Sequence, residues 1–226
     1  MKETPLLFSD AMALAMVENR KRHTRRLNGL KEINENPDEW LLQDLSVDPL
    51  IDFQNGPRVM KGLIATFEHV EGGDCFVNIR CPFGQVGDRI WGREAWAYCC
   101  KCGQYQPQNP KGVIFRADGS GFSTCHICDP VTLESVARAR WRPSIFMPRW
   151  ASRIERELVG IQLERLQAIT ETEAEAEGVT PSGVGHDLEH LKYRAGFIYL
   201  WDAINAKRGY PFEFNPWVWV LEFGVK

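Results

Sequence analysis

Pro216-Trp217-Val218-Trp219-Val220-Leu221-Glu222-Phe223 is apolar on both faces of an extended chain until Glu222. Such a strand needs cover on both sides, which predicts a central, buried position in a sheet. Upstream, Leu188 to Ala206 is predicted as a helix, with Leu191, Ala195, Ile198 and Trp201 on one stripe. Leu158 to Leu166 is predicted as a strand with Val159, Ile161 and Leu163 on one face. Between them, Thr170-Glu171-Thr172-Glu173 reads as a capping box that opens a helix to Glu177, stopped by Gly178.

Further out, Leu6-Leu7-Phe8 reads as a short strand, and Ser9 or Asp10 caps a helix from Ala11 to Asn19. Residues 62–67 and 75–79 read as strands, and the Gly87-Asp88 turn launches another through Ile90 and Trp91. Residues 34–57 hold Asn-Pro, Asp-Pro and Gly-Pro pairs and read as an irregular excursion. Strands with a few interspersed helices and no βαβ regularity predict an α+β or small-barrel domain, over residues 1–97 and 141–226. Residues 98–140 form a cysteine-bearing insert.

The 226 residues suffice for one core with a small appendage, and 44% hydrophobic and 25% charged residues are ordinary for a globular protein. No apolar run approaches the roughly 20 residues of a membrane span. The N-terminus carries no secretion-signal pattern, so a reducing cytoplasm is expected. A formal net charge of −3 argues against a bulk coater of DNA. It leaves room for a local basic site.

Positive charge is concentrated in Arg20-Lys21-Arg22-His23-Thr24-Arg25-Arg26, where five of seven residues are Lys or Arg. The plainest reading is a solvated turn at a helix end, where cations suit the helix dipole. The sharper reading is a pocket in which Lys21 and Thr24, flanked by arginines, hold an anion and act beside it.

Cys99-x2-Cys102 and Cys125-x2-Cys128 are two C-x2-C pairs separated by 22 residues. Four thiolates suit tetrahedral Zn²⁺, and a closed site of this kind holds a fold rather than doing chemistry. Cys100 is an alternative first ligand, and His126 can substitute for a thiolate. The spacer carries a predicted hairpin, strand Val113 to Arg116 and turn Asp118 to Gly121. A small insert lacks an adequate core, so a metal staple is expected. His186-Asp187-Leu188-Glu189-His190 matches the inverted zinc-peptidase pattern, but it follows Pro181 and two glycines and reads better as a polar helix start.

Together the pieces resemble the ASCH-domain family, a branch of the PUA-like fold, and particularly its larger phage-encoded members. The resemblance rests on the helix ending in residues 20–26, on Gly87 to Trp96, on Trp141 to Arg153, on Leu166 to Glu171 with Ala176 to Gly178, on Leu200 to Asn205 and on Asn215 to Val220. It implies a small β-barrel with flanking helices and a cleft for a nucleobase, nucleoside or RNA. Small bacterial members hydrolyse N4-acetylcytidine with a Lys, a Thr three residues on, and a later Glu. The matching positions are Lys21, Thr24 and Glu177, with Glu173 and Glu175 as nearby competitors. Either Lys21 or Glu177 can serve as the base.

Arg25 and Arg26 are expected to line the cleft, Glu94 to accept from a cytosine amino group, and Trp91 or Trp96 to stack on a base. Lys101, Lys111, Arg116, Arg138, Arg140 and Arg142, in or after the insert, favour a nucleic-acid substrate, RNA or single-stranded, over a free nucleoside. The alternative is a module that binds RNA or a modified nucleotide without chemistry.

Overall fold

The computed structural model of the chain describes residues 1–51, 56–72, 75–98, 112–123, 139–181 and 192–225. In chain order the elements are β1 (Glu3–Leu7), α1 (Asp10–Val17), β2 (His23–Arg26), β3 (Trp40–Val47), β4 (Leu50–Ile51), β5 (Arg58–Val59), β6 (Leu63–His69), β7 (Phe76–Arg80), β8 (Arg89–Arg93), β9 (Trp96–Tyr98), β10 (Gly112–Phe115) and β11 (Gly121–Ser123). They are followed by β12 (Glu155–Arg165), α2 (Glu171–Ala176), α3 (Lys192–Asn205) and β13 (Trp217–Phe223), with short 3₁₀ turns between. The architecture is α+β, mostly open sheets with few helices, and among the described residues no sheet closes on itself.

The chain divides into two compact units, one of Met1–Lys2, Arg20–Arg89 and Arg156–Lys226, the other of Glu3–Asn19 and Ile90–Glu155. In the first unit β13 runs between β12 and β2, antiparallel to both. Five successive residues, Trp217 to Leu221, are buried, as a strand apolar on both faces requires. A second sheet has the order β3-β6-β7, with Ile64, Ala65 and Phe67 of the middle strand fully buried. Phe67 meets Trp217 edge to face at 5.2 Å. Over the other side, α2 and α3 contribute Ala174, Phe197 and Trp201 to a cluster with Leu166, Ile169, Val179 and Val218.

Local chemistry explains the boundaries of α2. Thr170 and Glu173 form the reciprocal capping box. At the other end Gly178 takes φ +77°, a left-handed conformation that glycine adopts without strain.

Two expectations need correction. The stretch 34–57 is not irregular throughout, because Trp40–Val47 pairs along β6 from Trp40↔His69 to Val47↔Leu63. The proline pairs bracket this strand rather than interrupt it. Its largely exposed edge position removes the alternation of apolar residues that would reveal it. On β12, Val159 does not share a face with Ile161 and Leu163. A register shift between Leu158 and Gly160 turns Leu158 inward and leaves Val159 45% exposed.

In the second unit, Ser9 caps α1 through its side chain, and Ala13, Ala15 and Met16 are buried. Strands β9, β10 and β11 form an antiparallel sheet in the order β11-β10-β9. The hairpin foreseen within the insert is the β10–β11 pair. Trp96, Val113, Phe115, Met147 and Ala151 make the core beneath it.

Candidate functional site

The basic run does not form a solvated turn. His23–Arg26 is strand β2, laid against the buried β13 with Thr24 opposite Leu221 and Arg25 opposite Val220. Lys21, Thr24 and Arg25 are all buried. Cations can be drawn inside only where carboxylates and carbonyls meet them, and the first unit supplies those groups.

Lys21 Nζ donates to Glu177 Oε2 at 2.6 Å and to the Glu177 carbonyl at 2.8 Å. Arg25 donates from Nε and one terminal nitrogen to Glu164 Oε1, at 2.9 and 2.7 Å. Its other terminal nitrogen reaches Glu177 Oε1 at 3.3 Å, and Glu173 lies 3.4 Å away. Glu177 is therefore held at both oxygens, by Lys21 on one and Arg25 on the other. Arg20 donates to the Gly178 carbonyl at 3.3 Å. The end of α2 is thus covered by two cations from the basic run, where carbonyls lack helical partners.

Burial pushes Lys21 below its ordinary pKa, against the opposing pull of Glu177, with Arg26 and Arg25 adding to the depression. Burial likewise weighs against the Arg26 charge, and Glu177 opposes it. Glu173 lies below the usual carboxylate range. Its burial acts the other way, but the Thr170 backbone and hydroxyl, Arg25 and His23 together prevail.

Thr24 does not join the Lys21–Glu177 pair. Residues facing each other across antiparallel strands share a face, and neighbours on one strand point oppositely. Thr24 therefore leaves the face of β2 that carries Leu221 and, one strand on, Ile161, whereas Arg25 leaves the face of Val220. Among the described residues no hydrogen bond links Thr24 to Lys21 or Glu177.

Of the expected binding residues, Arg25, Trp91, Glu94 and Trp96 are buried. Arg25 is engaged by Glu164, Glu173 and Glu177. Arg26, half-buried, follows it at the end of β2. Trp91, Glu94 and Trp96 belong to the second unit. Trp91 is buried with the Arg93 guanidinium 4.7 Å from its ring, and Trp96 is core. Glu94 is fully buried, and Arg153 donates to both its oxygens at 2.8 Å. Burial raises the Glu94 pKa although Arg153 pulls it down. Both Glu94 oxygens are thus taken by one guanidinium.

Glu164 is the partner that sequence reasoning missed. It lies on β12 opposite Val218, and only the order β12-β13-β2 brings it across to Arg25. No spacing rule signals a pairing made across a third strand.

Cys99, Cys102, Cys125 and Cys128, with Cys100, His126, His186 and His190, lie outside the described residues. Among the described residues no group of three or more His, Cys, Asp or Glu is arranged to hold a metal. Burial pushes the Cys81 thiol up to about 11, which disfavours its reactive thiolate form. No described helix is long and apolar enough to cross a membrane.

No protein-family model matches the chain, and neither the curated proteins nor the solved structures contain a match.

Proposed function

We propose that this protein is a nucleic-acid- or nucleoside-directed hydrolase of ASCH type, built on a PUA-like domain and acting in the cytoplasm, that of a bacterial host if the chain is phage-encoded. Its reaction is hydrolysis of the amide on an N4-acylated cytosine; RNA cleavage is the related activity. The carrying observation is the contact between Lys21 Nζ and Glu177 Oε2, 2.6 Å apart and both buried. These are two of the three positions that the family likeness assigns to catalysis.

The chemistry then runs through water. Glu177 accepts a proton as water oxygen bonds to the acyl carbon, and the Lys21 ammonium faces the oxygen that becomes negative. The bond from carbon to N4 breaks as the proton passes to N4, which releases the amino base and a carboxylic acid. Glu177 is the better base, because Thr24 leaves the opposite face of β2 from Arg25. Arg25 holds the second oxygen of Glu177 and so fixes its direction.

One observation favours a second reading, a non-catalytic module for RNA or a modified nucleotide. Both Glu177 oxygens and the Lys21 ammonium already have partners, as in a purely structural lock. Incubation with N4-acetylcytidine and with N4-acetylated oligonucleotides, beside Lys21→Ala and Glu177→Gln, separates the two. Product from the native chain, lost in both variants, supports the hydrolase. Absence of product on every substrate leaves the module.

The insert is proposed to carry structural Zn²⁺ on Cys99, Cys102, Cys125 and Cys128. Support comes from the strands around it: Tyr98 pairs with Val113 and Ser123 with Gly112. The last described residues before each cysteine pair thus leave the same end of one sheet, roughly 10 Å apart at two strand spacings. Four thiolates fit a closed zinc site, and the metal would hold the insert together. Metal analysis of the purified chain should return about one zinc per chain, lost when Cys102 and Cys125 are changed to Ser.

A further inference from the structure

The second unit carries a surface that the Lys21–Glu177 site does not use. Trp150 is 44% exposed and stacks on Tyr98, centroids 6.5 Å apart and planes 20° apart. The Arg142 guanidinium lies 4.7 Å from the Tyr98 ring and 5.6 Å from that of Trp96. The preceding turn presents Ile145 and Phe146, the latter 67% exposed. Arg93 donates to the Ile145 carbonyl at 3.2 Å. Exposed aromatic rings are therefore interleaved with guanidinium groups along one short stretch of chain.

Charge separates this surface from a patch awaiting a protein partner. Arg149 is committed to Glu3 and Glu155, and Arg153 to Glu94 and Asp118. Among the described residues, Arg93, Arg140 and Arg142 form no ion pair, and Arg140 and Arg142 are exposed. An exposed tryptophan stacked on a tyrosine, beside exposed guanidinium groups that form no ion pair among the described residues, fits a ligand of flat bases on an anionic backbone.

We infer that Tyr98, Arg140, Arg142, Phe146 and Trp150 form a binding surface for single-stranded nucleic acid. One base stacks on Trp150, and Arg140 and Arg142 meet the phosphates. A duplex keeps its bases stacked internally and cannot use the ring. The inference stands independently of the Lys21–Glu177 reading, since every residue it uses lies in the second unit.

The test is fluorescence anisotropy of the full chain with labelled single strands of uridine and of thymidine, beside a duplex of equal length. The native chain is expected to bind single strands and to prefer them to the duplex. The uridine and thymidine arms distinguish RNA from DNA. Trp150→Ala should weaken binding about tenfold or more. Arg140→Ala with Arg142→Ala should also weaken it and flatten the salt dependence by roughly 0.7 per arginine. If Trp150→Ala fails to fold, the doubly substituted exposed arginines decide alone. Asn28→Ala, an exposed change in the first unit, should bind as the native chain does. The inference is overturned if the native chain ignores single strands or binds duplex equally well. It also fails if the folded Trp150 and arginine variants bind unchanged, or if Asn28→Ala weakens binding as much as they do.

Discussion

Asn34 grips the backbone of Trp217 from both sides, its Nδ2 donating to the Trp217 carbonyl at 2.9 Å and its Oδ1 accepting from the Trp217 amide at 2.7 Å. The side chain, 2% exposed, acts as a ladder partner where β13 begins. Asn34→Ala strands two buried backbone groups, each costing about 1–3 kcal/mol. Urea unfolding should therefore show a loss of about 2–4 kcal/mol. The exposed Asn28, changed likewise to Ala, should stay within about 0.5 kcal/mol of the native chain.

The buried Glu94–Arg153 pair predicts a larger, pH-dependent effect. Arg153→Ala leaves a buried carboxylate uncompensated, at a cost of about 3–5 kcal/mol near neutral pH. The Glu94 pKa is already raised by burial, and losing Arg153 raises it further. A folded pKa above the unfolded one favours the protonated folded form, so the deficit should shrink as pH falls through the folded value. Glu94→Gln in the Arg153→Ala background should recover much of the loss at pH 7. No recovery would mean that the packing of Arg153 on Phe115, 4.1 Å away, is what matters.

Glu173 predicts the opposite pH behaviour. Its folded pKa is depressed, so it adds stability above the unfolded value of about 4.3 and loses it as pH falls through the folded value. Unfolding of the native chain and of Glu173→Gln, followed from pH 7 downward, should give curves separated at neutral pH that converge in acid.

Arg25 joins carboxylates from β12, α2 and the residue after α2. Arg25→Lys keeps the charge but loses the fork that reaches Glu164 and Glu177 together. It should cost about 1–3 kcal/mol by denaturant unfolding, and Arg25→Ala about 3–5 kcal/mol. In the turnover assay, Arg25→Lys should lower kcat more than it raises KM, because Glu177 loses its direction.

What could be read from the chain divides along physical lines. β13 was legible because an unbroken apolar run has few alternatives to burial, and the ends of α2 because caps are local chemistry at fixed offsets. β3 was hidden because an edge strand can expose most of its side chains, so proline pairs dominate its pattern. Lys21 and Glu177 could be named one by one, yet neither the saturation of Glu177 nor the role of Glu164 follows from local sequence. Those depend on which strands lie side by side. Trp150 escaped notice for a related reason. A tryptophan is ordinarily core, and only the structure distinguishes exposed Trp150 from buried Trp96.

The amide of Arg22 donates to the Ala176 carbonyl at 2.7 Å, just where β2 begins. The Arg22 carbonyl accepts from the Phe223 amide at 2.8 Å, so this one residue ties the end of α2 to the end of β13. Fraying of α2, by losing its cap or its cations, would therefore slacken the end of the sheet first. Amide exchange at Arg22 and Phe223 should quicken in Thr170→Ala while that at Val220 stays slow.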